Sequence, residues 1–205
     1  MITVHHLSSS RSERIVWLME ELGLEYALEV LPRESNGAAP PPYKALHPLG
    51  KAPVIRDGDL VLAESGAIVE YLIHRHGGGR LAPRPDSASY PDYVYWLHFA
   101  EGSLMSLMLI ALVISRIPEA AQSAVRKRIL DRMHAMLAFV DGTLAGREYF
   151  AGHEFTAADL MMVFPFTTMR RFLDYDISLY GNIARYLSRI EDRPAYRKAK
   201  SRISE

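Results

Sequence analysis

At the amino end, hydrophobic and polar positions alternate. Ile2 and Val4 are apolar while Thr3 and His5 are polar, which predicts a strand. Ser8-Ser9-Ser10 then supplies loop and N-cap residues. Apolar residues at Ile15, Val16, Leu18, Met19 and Leu22 form a helical stripe, and Gly23 predicts its end. Tyr26 to Leu31 reads as a second strand. Strand, helix, strand predicts a right-handed crossover between parallel strands. Residues 35–42, SNGAAPPP, carry three prolines that remove donors in series, which predicts an irregular loop. One helical turn is expected around residues 43–46. Val54-Ile55 and Leu60 to Ala63 read as short strands joined by a tight turn at Asp57-Gly58. Glu64-Ser65 opens a helix carrying Ala67, Ile68, Tyr71, Leu72 and Ile73, closed by Gly77-Gly78-Gly79. The first half is therefore β-α-β followed by β-β-α, a thioredoxin-like α/β plan.

The pattern changes after residue 79. Residues 80–91 hold three prolines and few apolar positions, which predicts a linker. From Asp92 strand signals vanish. Residues 92–115 predict one long helix, apolar nearly all round late on and so destined for a bundle or a subunit contact. A second helix is expected from Pro118 to about Leu144. Phe155-Thr156-Ala157-Ala158-Asp159 opens a third, with Thr156 and Asp159 as a capping box and Phe155 as a staple. Two shorter helices follow, near residues 182–191 and from Pro194. The expected domains are an α/β unit at 1–79, the linker at 80–91 and an all-α bundle at 92–205.

Composition narrows the function classes. The chain has 205 residues, 49% hydrophobic and 23% charged, ordinary for a globular protein. Lys+Arg and Asp+Glu number 24 each, so the zero formal charge gives no reason to expect nucleic acid or an anionic membrane. With no cysteine there are no disulfides, no thiolate metal sites and no cysteine nucleophile. Any thiol chemistry must use a ligand's thiol. The start lacks a signal-peptide pattern, and the longest near-apolar run, residues 104–114, is shorter than the roughly 20 residues a bilayer span needs. A cytoplasmic protein without a membrane partner is expected.

The candidate chemistry lies in residues 48–65, PLGKAPVIRDGDLVLAES. The Ala52-Pro53 bond is a plausible cis peptide, since proline lowers the cis penalty to about 0.5–1 kcal/mol. That geometry frees the Ala52 N–H and C=O to pair with an extended peptide alongside. Glu64-Ser65 sits where a helix start gathers unpaired N–H groups, which suits a carboxylate. The stretch reads as a receptor for a small peptide with a free carboxylate; the plainer reading is a hairpin leading into a capped helix. Elsewhere, His5-His6 are adjacent in a strand and face opposite sides, which opposes a metal pair. Arg126-Lys127-Arg128 reads as a solvated helix face. Asp159 reads as a cap rather than an acid catalyst. Met105 and Met108 read as core or subunit contact, or as neighbours of an apolar ligand, with Glu101 and Ser103 on the same helix.

Four stretches together resemble the cytosolic glutathione S-transferase (GST) family, in its serine-type, bacterial and fungal-like form. SSSRSERIVWLMEELGLEY resembles the family's first loop and helix. HPLGKAPVI resembles its asparagine-proline-x-glycine-x-valine-proline loop, with His47 and Ala52 as departures. LAESGAIVEYL resembles its glutamate-serine motif and FTAADL its sixth-helix capping box. The resemblance implies a GST fold, glutathione as co-substrate without a metal, and a homodimer. It also implies a detoxifying attack of the glutathione thiolate on small apolar electrophiles. A free thiol has a pKa near 8.5, and one charge-assisted hydrogen bond of roughly 1.5–3 kcal/mol lowers it by about 1–2 units. The resemblance implies a serine as that donor: Ser10, or Ser9, with a backbone N–H as the alternative. Lys51 would reach the glycyl carboxylate, and Ala52, ahead of Pro53, would pair with the cysteinyl main chain. Glu64 and Ser65 would hold the γ-glutamyl end. Glutathione-dependent isomerisation or peroxide reduction, or binding without catalysis, are the alternative readings of the same site.

Overall fold

The computed structural model describes residues 1–203 and divides into two compact units. The first comprises Met1–Ala82 with the C-terminal segment from Glu191, and the second Pro83–Ile190. The break falls inside the expected linker, and the last helix joins the first unit rather than the helical one.

In the first unit, β1 (Ile2–Leu7), α1 (Glu13–Leu22) and β2 (Tyr26–Leu31) form the expected crossover with parallel strands. The four-stranded sheet has the order β2-β1-β3-β4, with β3 (Val54–Asp57) antiparallel to both β1 and β4 (Leu60–Ala63). The helix α3 (Ser65–Arg75) follows β4 directly. Val4, Ile15, Leu18, Ile55, Ile68 and Leu72 are fully buried, so the apolar stripes of both helices become core.

One expectation here needs correction. Residues 35–42 are not wholly irregular: α2 spans Pro41–Lys44, earlier than the expected turn at 43–46. Its two prolines sit in the first turn, where a missing N–H has no intrahelical partner to lose. Tyr43, within it, is buried in a cluster with Leu7, Ala39 and Val54. Its hydroxyl donates to the His5 carbonyl at 3.2 Å, which pins the loop to β1.

The last helix, α10 (Pro194–Ile203), packs on α1. Tyr196 meets Trp17 edge to face at 4.9 Å. Arg193 makes a two-pronged contact with Glu21 at 2.7 and 2.8 Å, and Glu20 receives Lys198 and Arg202.

In the second unit, the long helix expected at 92–115 is interrupted. It runs as α4 (Tyr90–Phe99), a π-helical segment at Ala100–Met105, and α5 (Ser106–Ser115). The whole run Tyr90–Ser115 is helical, long and apolar enough to cross a membrane, longer than the apolar run read from sequence, and a third of its most apolar stretch is buried. Met105 and Met108 are core residues. Pro118 opens only a 3-10 turn, and α6 (Ala124–Thr143) starts later, capped by the Ser123 hydroxyl. The capping box of Thr156 and Asp159 opens α7 (Ala157–Phe166) as expected. Pro165 cannot donate within the ladder, and the chain bends at Thr167 into α8 (Thr168–Leu173), which has no counterpart among the expected elements. The helix α9 (Gly181–Glu191) closes the unit, held at its start by Asp141, which accepts from the N–H groups of Asn182 and Ile183.

Candidate glutathione site

Strand register brings the candidate residues to one end of the sheet. His5 pairs with Val54, and Val54 with Ala63. The carboxyl ends of β1 and β4 and the amino end of β3 therefore share an edge. The serine loop leaves from the first, Glu64-Ser65 from the second, and Lys51-Ala52-Pro53 enters the third.

The Ala52-Pro53 bond is cis, in agreement with the sequence reading. Ala52 packs against the Leu7, Tyr43 and Val54 cluster, and among the described residues its main-chain N–H and C=O have no partner. The preceding turn is held by the Gly50 N–H to the His47 carbonyl at 2.8 Å and the Leu49 N–H to His47 Nδ1 at 3.4 Å. His47 thus accepts from the backbone two residues on, the local contact that an asparagine side chain makes in a turn. Gly50 has φ +57°, and a Cβ there would come within 3.0 Å of the Lys44 side chain, so this turn needs a glycine. Lys51 is exposed.

Glu64 is exposed, with φ +75° and ψ 120°, a region that side chains rarely adopt. Holding it there costs of order 1–3 kcal/mol, and such outliers cluster at ligand sites. Its carbonyl accepts from Ile68 while its side chain caps nothing. Ser65 follows, buried, as the first residue of α3.

The serine loop is held by a buried hydrogen-bond network. Ser12, not one of the three serines before it, occupies the N-cap position of α1. Its Oγ lies 2.7 Å from Ser10 Oγ, 2.9 Å from His6 Nδ1 and 3.1 Å from the Leu7 nitrogen. Ser10 Oγ also accepts the Ser12 N–H at 3.2 Å. Ser10 and Ser12 are buried, and Ser9 is exposed with φ +51°. The structure therefore separates the two candidate serines: Ser10 belongs to an inward network and Ser9 stands outside it. His6 is buried in the fold, and desolvation, with Lys200 and Arg33 nearby, holds its pKa down at about 4. It is neutral at physiological pH.

Two residues of this edge escaped the sequence reading. The sequence shows His6 only beside His5; the alternation of β1 is the signal that sets it apart from His5, which points to Glu29. Arg33 donates to the Ser8 carbonyl at 2.8 Å and to Gly37 at 2.9 Å, tying the serine loop to the proline-rich one. Nothing local in the sequence marks it. Asp159 lies in the second unit as a buried cap. It accepts from the Phe150 and Thr156 N–H groups, each at 2.9 Å, and from the hydroxyls of Thr156 and Tyr186. Among the described residues, no group of three or more His, Cys, Asp or Glu could hold a metal.

Comparison with known proteins bears on the family. Residues 8–75 match the family described as Glutathione S-transferase, N-terminal domain, and residues 104–194 match Glutathione S-transferase, C-terminal domain. Glutathione S-transferase 3 of Schizosaccharomyces pombe is 38% identical over 100% of this chain and 89% of its own length. The structure of a glutathione S-transferase from Actinobacillus pleuropneumoniae is 39% identical with a TM-score of 0.90, covering 99% of this chain and 93% of that one. A theta class glutathione S-transferase from Xanthomonas axonopodis pv. citri, solved with glutathione bound, is 26% identical with a TM-score of 0.75, covering 97% and 96%. The chain belongs to the glutathione S-transferase family.

Proposed function

We propose that this chain binds glutathione on the shared sheet edge of its first unit and transfers it to small apolar electrophiles. The observation that carries the reading is the convergence there of Ser10, the unpaired Ala52 main chain and the start of α3. An extended tripeptide laid along Ala52 makes two main-chain hydrogen bonds through its cysteinyl residue. Its γ-glutamyl end then reaches Glu64 and Ser65, and its glycyl carboxylate reaches Lys51. The sulfur falls beside the start of α1, where the helix dipole and a hydroxyl both favour the thiolate.

Ser10 is our assignment for that hydroxyl, because its oxygen is held in place by Ser12 and a preorganised donor loses less entropy on binding. Ser9, exposed and outside the network, is the second candidate. The glutathione-bound relative supports the choice of ligand. The apolar residues exposed on the outer face of α5, Leu109, Ile110 and Val113, support a homodimer. We read the apolar run Tyr90–Ser115 as a bundle helix of a cytoplasmic enzyme, since Tyr93, Trp96, Leu97, Leu104, Met108 and Ala111 are buried within the unit.

The test combines calorimetry with glutathione and a panel of electrophiles, a maleyl isomer and a hydroperoxide. Binding with turnover of an aromatic halide is the expected result. Binding with turnover of only the isomer or the peroxide would move the reaction class, and binding with no turnover would leave a glutathione receptor. Absence of binding would overturn the reading altogether.

A further inference from the structure

The hydroxyl network behind Ser10 has a direction, and proton counting shows what sets it. Ser12 Oγ carries one proton and two lone pairs. Its neighbours are the Leu7 N–H, which can only donate, Ser10 Oγ, which can do either, and His6 Nδ1, whose role depends on the tautomer. The Leu7 carbonyl, at 3.4 Å, is a much longer contact than the 2.7 Å to Ser10. A neutral imidazole carries one N–H, so two arrangements exist.

With the proton on Nε2, His6 Nδ1 accepts the Ser12 proton. Ser12 then accepts from Leu7 and from Ser10, so the Ser10 proton points inward. The outer side of Ser10 shows only a lone pair, which repels an anion. With the proton on Nδ1, His6 and Leu7 fill both Ser12 lone pairs. Ser12 must then donate to Ser10, whose own lone pairs are filled by the Ser12 hydroxyl and the Ser12 N–H. The Ser10 proton has nowhere inward to go and turns outward.

We propose that His6 is a positioning residue: its Nδ1–H tautomer sets the polarity of the Ser12–Ser10 hydroxyl chain and aims the Ser10 proton at the ligand sulfur. This inference rests on Ser10 as the thiol donor and adds the reason that a buried serine can serve as one. The ring touches neither substrate nor reacting atoms. It fixes a hydrogen-bond direction two oxygens away.

Nitrogen-15 NMR of the whole protein at neutral pH reads the tautomer directly. A protonated Nδ1 and bare Nε2 on His6 is the expected result, and the reverse overturns the proposal without any variant having to fold. The second measurement is the pKa of bound glutathione, from thiolate absorbance against pH. His6→Phe removes the donor and should raise that pKa by about one unit, a tenfold loss of the thiolate fraction on the basic side of neutrality. His6→Asn can place an amide N–H where Nδ1–H was and should restore most of the shift; a value equal to that of His6→Phe counts against the proposal. Ser10→Ala is the control. If it raises the thiol pKa and His6→Phe does not, the relay alone is overturned. If Ser10→Ala leaves the thiol pKa at its wild-type value, the Ser10 assignment fails and the relay with it.

Discussion

Each unit holds a fully buried polar group where a loop enters a helix, Ser12 in the first and Asp159 in the second, and these two junctions are finished differently. In the second unit Asp159 collects four donors from Phe150, Thr156 and Tyr186. Every contact turns inward, and the group pins the chain. In the first unit Ser12 collects Leu7, His6 and Ser10, and the chain of hydroxyls ends at Ser10 beside the candidate site. A closed junction stabilises, whereas an open-ended one also leaves a group to offer a ligand. The contrast teaches that a buried polar network is worth following to its last atom before it is called structural.

The largest break comes from removing the closed junction. Asp159→Ala leaves several buried donors without an acceptor and should destabilise the second unit by about 3–5 kcal/mol, read from urea unfolding. Thiol pKa in any variant protein that still folds should stay unchanged. The corresponding break in the first unit is Ser12→Ala. It strands the Leu7 N–H and should cost about 2–3 kcal/mol, and unlike the Asp159 variant it should also raise the pKa of bound glutathione. If both variants moved only stability, the two junctions would be alike and the comparison would dissolve.

Acid sharpens the contrast because the two groups respond with opposite sign. His6 falls from 6.5 to about 4 on folding. The unfolded chain therefore takes up a proton first, and the stability from His6 is present above pH 6.5 and lost as pH drops toward 4. Between pH 7.5 and 5 that loss is about 2 kcal/mol. Asp159 behaves in reverse: burial pushes it up to about 6, against the pull of its donors. Its folded form binds the proton first, so its contribution grows as pH falls from about 6 toward 3.8. Unfolding at both pH values, with His6→Gln and Asp159→Asn beside the wild type, separates the two. The first variant should flatten the acid loss and the second should steepen it.

The smallest effect belongs to the exposed part of the site. Lys51→Ala should leave stability unchanged and weaken glutathione binding by about 0.2–1 kcal/mol, the range for an exposed ion pair. Calorimetry in low salt checks it, and the difference should shrink when salt is added.

Much of this architecture was legible because its signals are local. The alternation of β1, the stripe of α1 and the Thr156–Asp159 box each lie within a few residues, and each became the expected element; the hairpin formed too, but its turn sits at Gly58-Asp59 rather than Asp57-Gly58, because Asp57 still pairs with Leu60 in the ladder. What escaped reading depends on contacts made elsewhere. The prolines at 41 and 42 suit a helix only as its first turn, which is decided by Tyr43 finding a buried place against Leu7 and Val54. The π-helical turn at Ala100–Met105 leaves no mark in the periodicity, and the separate α8 follows the break near Pro165. For the site, residue types and loop positions could be read in advance. The role of Arg33 could not, because its partner Ser8 lies 25 positions away, and that of Ser12 could not, because Leu7, His6 and Ser10 meet it only through the way the chain turns from β1 into α1.

The docking of α10 on α1 has a consequence for the order in which this protein can be made. Glu21 and Trp17 meet Arg193 and Tyr196 across more than a hundred and seventy positions of chain. A ribosome that has released the first eighty residues has therefore produced a sheet whose outer helix still shows its indole to water. That face is covered only once the segment 193–203 has also emerged, so the nascent first unit must be kept from sticking to its neighbours in the meantime.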